Sequence, residues 1–180
     1  MPNIKERVPV VVLYNYYETW TPQEKEEGDV LTQTMVSGLE SLGHRVAVVE
    51  FWKDVRPALR KFKPSDWIIF NWCEGIEDEV GGDARVCAEL DQMGYTYTGN
   101  APYTLKISVE KGRVKRMLQR WGIPTPGGRE FKSQDEVTAD AWDPANFPAI
   151  VKPVSQHCSV AVTREAVVHT LEELRERVAY

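Results

Sequence analysis

Through roughly its first hundred positions the chain alternates short apolar runs with amphipathic stretches, a pattern that predicts strands separated by helices. Residues 9–14 (PVVVLY) are apolar and β-branched, the profile of a buried parallel strand. Residues 15–27 read as a polar loop rich in aromatic side chains. Leu31, Met35, Leu39 and Leu42 then recur at helical spacing, and Gly43 closes that helix with a left-handed cap. Residues 45–52 (RVAVVEFW) supply a second strand. Val55, Leu59 and Phe62 form one face of a short helix, with Pro57 in its first turn. Residues 66–72 (DWIIFNW) are a third strand. Asp83 is placed as the cap of a helix whose core face is Val86, Cys87, Leu90 and Met93, and Gly94 ends it. Residues 95–99 (YTYTG) make a fourth, short strand. Strands and helices alternating through short connections imply an α/β fold with a mostly parallel sheet covered on both faces. Ligands of such sheets gather at the carboxyl ends of strands. Those ends carry Asn15 and Glu18 after the first strand, and Asn71, Glu74 and Gly75 after the third.

Beyond Asn100 the rhythm changes. Residues 102–109 read as helical, and Glu110-Lys111 opens or continues into a second helix. Val114, Met117, Leu118 and Trp121 fall at i, i+3, i+4 and i+7, a buried stripe by its spacing, and Gly122 ends it. Residues 123–128 (IPTPGG) form an extended connector. Ser133 with Glu136, and later Thr170 with Glu173, fit capping boxes, the second on a helix with Leu171, Leu174 and Val178 inward. A division into two units is expected near residue 100, as 1–100 and 101–180. The sequence stops inside the last predicted helix, which reads as a cut rather than an ending.

Composition narrows the classes. Hydrophobic residues make up 42% of the 180, enough for a packed core. The net charge is −5, from 22 Lys+Arg against 27 Asp+Glu, which argues against a nucleic-acid surface. No apolar run nears the ~20 residues of a membrane span, and no signal-peptide core follows the N-terminus. Cys73, Cys87 and Cys158 share no metal-type spacing and read as reduced thiols of a cytoplasmic protein; His44, His157 and His169 are scattered and suggest no zinc site.

The chemistry concentrates in residues 147–162 (FPAIVKPVSQHCSVAV), two apolar runs joined by a polar loop and read as a hairpin. Its strands are residues 147–151 and 159–163. Lys152 at the mouth of the first suits gripping nucleotide phosphates, the ammonium as a point charge and the loop through its N–H groups. A hairpin with one solvated lysine fits the same residues. Lys111 can bring a second cation to one polyphosphate, offsetting charge that grows on a transferred group; a solvated helical lysine is the alternative. Asn71 and Glu74 are candidates for substrate contact, against a plain strand-end turn. His157 beside Cys158 raises a nucleophile pair, but neighbours on an extended segment point to opposite faces.

Taken together, five stretches resemble the ATP-grasp ligases of the D-alanine–D-alanine ligase-like branch: FNWCEG (70–75), LDQMGYTYTGN (90–100), the EK–VKRML segment (110–118), WGIPTP (121–126) and FPAIVKP (147–153). Their order and spacing follow that family from its N-terminal domain through its central subdomain. The resemblance implies a Rossmann-like domain on residues 1–100 and a small α+β ATP-grasp subdomain on 101–180. It implies ATP-dependent joining of a carboxylate to an amine through an acylphosphate, with ATP and magnesium in the full-length protein. By position, Lys111 and Lys152 match phosphate-contacting lysines, and Gln156, Cys158 and Ser159 lie in the loop that closes over phosphate. Asn71, Glu74 and Gly75 match a corner of the amino-acid pocket, with Asn15 and Glu18 beside it. Partners are a small amino acid or peptide and, by analogy, a second copy through the N-terminal domain; no nucleic acid and no membrane.

The chain departs from the pattern. Glu110 stands where aspartate is usual, His157 and Ala161 replace small or glycine-like residues, and Gln156 replaces an acidic one. A β-carbon or an imidazole hinders the close approach of backbone to phosphate. The first strand ends in YNYYE (14–18) without the glycine-rich turn of D-alanine ligases, which puts D-alanine itself in doubt. The segments that carry adenine and the magnesium carboxylates in the family have no counterpart in the 180 residues, so the chain is expected to lack turnover and to hold neither ATP nor magnesium tightly. The rival expectation is a free-standing degenerate module that binds a small molecule or protein without chemistry.

Overall fold

The structure, a computed structural model, describes residues 7–73, 75–76, 81–155 and 162–180. The chain divides into two compact units, Met1–Lys106 and Ile107–Tyr180.

In the first unit β1 (Val10–Tyr14), β2 (Val46–Glu50), β3 (Ile68–Trp72) and β4 (Thr96–Tyr97) form a parallel sheet in the order β2-β1-β3-β4. Val10 pairs with Val46 on one side and Ile68 on the other, so β1 is central and its backbone is bonded along both edges. Val10 to Leu13 are all buried, which is why that run carries no polar alternation. Val11, Leu13, Val49 and Ile69 pack on one face with Val55 and Leu59 of α2 (Val55–Leu59) and with Val86 and Leu90 of α3 (Gly82–Gln92). Against β2 lies α1 (Pro22–Ser41), with Thr32 and Val36 buried. The parallel α/β fold is as the sequence pattern predicts.

Three local expectations are corrected. The helix α1 begins at Pro22, inside the expected loop. Thr21 accepts from the Glu24 N–H at 3.3 Å while the Glu24 carboxylate accepts from the Thr21 N–H at 2.7 Å, a capping box with proline in the first turn. Its inward face is also turned: Leu31 and Leu42 are 59% and 56% exposed. The reason is Gly28, where an added Cβ would lie 2.7 Å from the Tyr16 ring. The aromatic loop packs there, so Gly28, Thr32, Val36 and the half-buried Leu39 define the covered side. In α3 the cap is Gly81, in a left-handed conformation; Asp83 sits within the first turn and accepts from the Ala84 N–H at 2.8 Å.

In the second unit, α4 (Pro102–Ser108) having carried the chain across the division, α5 (Lys111–Arg120) precedes an antiparallel pair, β5 (Ala149–Ile150) with β6 (Val167–Val168), and α6 (Leu171–Ala179) follows. Val137, Val168 and Leu174 form its core, with Phe131, Trp142, Phe147 and Val151 packed around them. Among the described residues β5 pairs with β6; the expected partner run, 159–163, lies at 159–161 outside the described residues. The α5 stripe is corrected too. Val114, Met117 and Leu118 are half-buried and Trp121 is 78% exposed. The buried position is Gly112, against which the Glu130 side chain lies, and Lys115 donates to the carbonyls of Pro126 and Gly127. The covered side of α5 thus faces the connector. Ser133 precedes a 3-10 turn without capping it; Glu136 accepts instead from the Lys132 N–H at 2.9 Å. Thr170 does cap α6, accepting from the Glu173 N–H at 3.1 Å.

Two glycines should respond oppositely to alanine. At Gly82 a Cβ would meet the Ile76 backbone nitrogen at 2.5 Å, an obstacle that cannot rotate away. Gly82→Ala should cost about 1–3 kcal/mol. At Gly112 the obstacle is only the flexible end of Glu130. Alanine there recovers roughly 1 kcal/mol of helix propensity and loses an exposed ion pair of about 0–1 kcal/mol, so Gly112→Ala should be neutral or mildly stabilising. Urea denaturation of both variants checks this; equal midpoints would refute it.

Candidate functional site

β2 lies on one side of β1 and β3 on the other, so the connections leaving β1 and β3 diverge and a crevice forms at their carboxyl ends. The side chains that follow those strands occupy it. Asn15 is 3% exposed, and its amide donates to the carbonyl of Gly75. Gly75 holds φ +145°, a conformation reserved for glycine, and the Tyr17 hydroxyl lies 3.3 Å from where a Gly75 Cβ would stand. Cys73 donates from Sγ to the Leu13 carbonyl at 3.3 Å. The ends of β1 and β3 are thus stitched together by side chains beyond their ladder.

Around this stitch is an aromatic cluster. Tyr16 packs edge-on against Tyr14 at 5.4 Å and against Trp20 at 5.3 Å, and its hydroxyl donates to Asp29 at 2.6 Å. Burial, and then the Asp29 bond, push the Tyr16 phenol well above its usual range. Burial raises Tyr14 as well, with Glu50 and Asp29 adding to it. These phenols stay protonated at physiological pH and serve as neutral donors.

Not every expected residue turns into the crevice. Asn71 shares the sheet face of Ile69, and strand alternation aims its side chain at α3, where its amide donates to Cys87 Sγ at 3.3 Å. Its Oδ1 has no hydrogen-bond partner among the described residues. Burial drives the Cys87 thiol up to about 11, and burial with an Asp91 bond drives Tyr97 up to about 12. Asn71 therefore braces β3 on α3, and Asn15 braces Gly75, where substrate contact was expected of both. Glu18 is exposed in the turn after β1. Glu74 lies outside the described residues. Tyr17, which the sequence marks only as part of the YNYYE run and not as a candidate contact, stands beside the Gly75 corner.

In the second unit the structure brings Lys111 and Lys152 together. Lys111 opens α5, and its backbone N–H donates to the Val154 carbonyl at 3.1 Å, tying the helix start to the segment just past Lys152. The Lys111 ammonium is held below the usual lysine range, first by burial and then by the Lys152 charge. Lys152 itself is exposed. Ile150, two residues before Lys152, and its cross-strand partner Val167 are both exposed. Gln156, Cys158 and Ser159, with the His157–Cys158 pair, lie outside the described residues. Cys73 and Cys87 are thiols without a disulfide.

No family model matches the chain. It is 33% identical over 156 residues to the D-alanine–D-alanine ligase of Novosphingobium aromaticivorans, covering 87% of this chain and 46% of that enzyme. To the D-alanine–D-alanine ligase of Aquifex aeolicus it is 31% identical over 144 residues, covering 80% and 46%. The chain is homologous to the D-alanine–D-alanine ligases. It spans about half the length of the curated relatives it matches. The fold agrees: a D-alanine–D-alanine ligase from Bacillus anthracis, in a crystal structure complexed with ATP, matches with a TM-score of 0.67 over 96% of this chain and 52% of that one, at 18% identity. The five stretches that resemble the ATP-grasp ligases thus belong to a ligase-like chain.

The lysine pair of this ligase-like chain has a measurable signature. Lys111 gives up its proton more readily folded than unfolded, so folding is opposed at neutral pH and gains stability as pH rises through the depressed value towards 10.5. Lys152→Met should raise the Lys111 pKa part of the way back, leaving the share due to burial. Titration of the lysine side-chain resonances by NMR checks it; an unmoved Lys111 would show that the two ammonium groups do not interact.

Proposed function

We propose that this chain is part of an ATP-dependent ligase that joins a carboxylate to an amine through an acylphosphate. Lys111 and Lys152 hold the phosphates, and the crevice at Gly75 takes a small amino acid or peptide. The observation that carries the reading is the lysine pair. Two ammonium groups close enough for one to depress the other repel, and a polyanion between them turns that repulsion into attraction. The exposed Ile150–Val167 pair offers an apolar surface for a flat base. Homology to ligases named for D-alanine supports an amino-acid substrate. The YNYYE segment after β1, with Tyr16, Tyr17 and Trp20 crowding the strand mouth, favours a substrate other than D-alanine.

Magnesium would accompany ATP on this reading. Among the described residues no group of three or more histidine, cysteine, aspartate or glutamate side chains could hold a metal ion, so none of them is assigned to it. Among the same residues no helix is long and apolar enough to cross a membrane.

Titration with ATP, with tripolyphosphate and with adenosine, followed by NMR at low and physiological salt, tests the phosphate grip. Weak, salt-sensitive binding of both polyphosphates is expected. Lys111→Ala and Lys152→Ala should each lower it about tenfold or more, the worth of a charge-assisted hydrogen bond. Adenosine should bind wild type and variants alike. Equal polyphosphate affinity in wild type and the double variant would overturn the assignment.

A further inference from the structure

The β1–β3 ladder ends at Tyr14 opposite Trp72, yet the strands stay joined past that point through Asn15. Its amide reaches the carbonyl of Gly75, so a side-chain N–H stands where a backbone donor would stand if the ladder continued. Gly75 has turned out of strand geometry at φ +145°, and its neighbour Ile76 is buried against Gly82 at the start of α3. The corner is pinned on its carbonyl side by Asn15 and faced on its α-carbon side by the Tyr17 hydroxyl. We propose that Asn15 is a positioning residue: it fixes the orientation of the Gly75 corner towards substrate without touching substrate itself. The substrate half of this statement rests on the proposed function.

The physical requirement is a donor of this length at position 15. Aspartate has the same shape but, ionised, offers two acceptors to a carbonyl oxygen. Protonated, it donates again, and burial beside an acceptor favours the protonated form. Asn15→Asp should therefore switch the corner with pH. Tyr17 and Cys73 beside the strand ends and Asp83 on α3 also titrate, but they are common to wild type and variant.

The test follows the backbone amides of Gly75 and Ile76 by NMR in the 180-residue chain, with Val12 and Ile69 as reporters of the ladder. In Asn15→Asp at neutral pH the corner resonances should move, the Ile76 amide most, because it shares a peptide unit with the Gly75 carbonyl that loses its donor. They should return to wild-type values on acidification. Asn15→Ala should show the change at every pH. Corner resonances that match wild type throughout in Asn15→Asp would overturn the proposal. So would displaced resonances at Val12 and Ile69 together with Gly75 at both pH values, which marks a merely structural role. Addition of a panel of small D- and L-amino acids and dipeptides to the wild type separates the two readings. If it leaves Gly75 unmoved, the substrate assignment of the crevice loses its support and the claim of substrate positioning falls with it. If it moves Gly75 in wild type and not in Asn15→Asp at neutral pH, both stand.

Discussion

Burial of β1 on both faces is the constraint from which the first unit follows. Val10 to Leu13 leave no polar position for solvent, so both edges of the strand must be paired and both sides covered. With β2 on one edge and β3 on the other, the connections diverge at the carboxyl end, and that divergence makes the crevice. The crevice is thus a by-product of satisfying one apolar strand. What fills it is decided by the residues immediately after β1 and β3, because only they lie past the ladder.

Close approach, rather than bulk, sets how the helices lie. Gly28 admits the Tyr16 and Trp20 rings to the side of α1, Gly82 lets α3 start against the Ile76 backbone, and Gly112 accepts Glu130 along α5. In α1 and α5 the missing side chain determines which face is covered, against the ranking that leucine and valine content would suggest; in α3 the covered face is still that of Val86 and Leu90. The aromatic loop follows from the first of these: once Tyr16 rests on Gly28 and bonds Asp29, Tyr14 and Trp20 pack on it, and the phenols are kept neutral by burial next to carboxylates.

The electrostatics divide the two units. A chain with a net charge of −5 places two lysines, distant in sequence, near one another in its second unit, at a cost visible in the lowered Lys111 pKa. The first unit instead surrounds its strand ends with uncharged groups, the raised Tyr14 and Tyr16 phenols and the Asn15 amide bonded to Gly75. On the proposed function, a polyanion and a small zwitterion would make such opposite demands.

The sequence by itself determined the succession of strands and helices in the first unit, the parallel sheet, the homology-bearing stretches and the lysines at 111 and 152, because these rest on local periodicity and on residue type. Only the tertiary structure decided that Leu31, Leu42 and Trp121 face outward and that β5 pairs with β6. It likewise decided that Asn15 and Asn71 donate from their amides to Gly75 and Cys87. Spacing shows that a face exists but not which neighbour covers it, and a buried amide goes to whichever acceptor the fold brings within reach, here sixteen and sixty residues away.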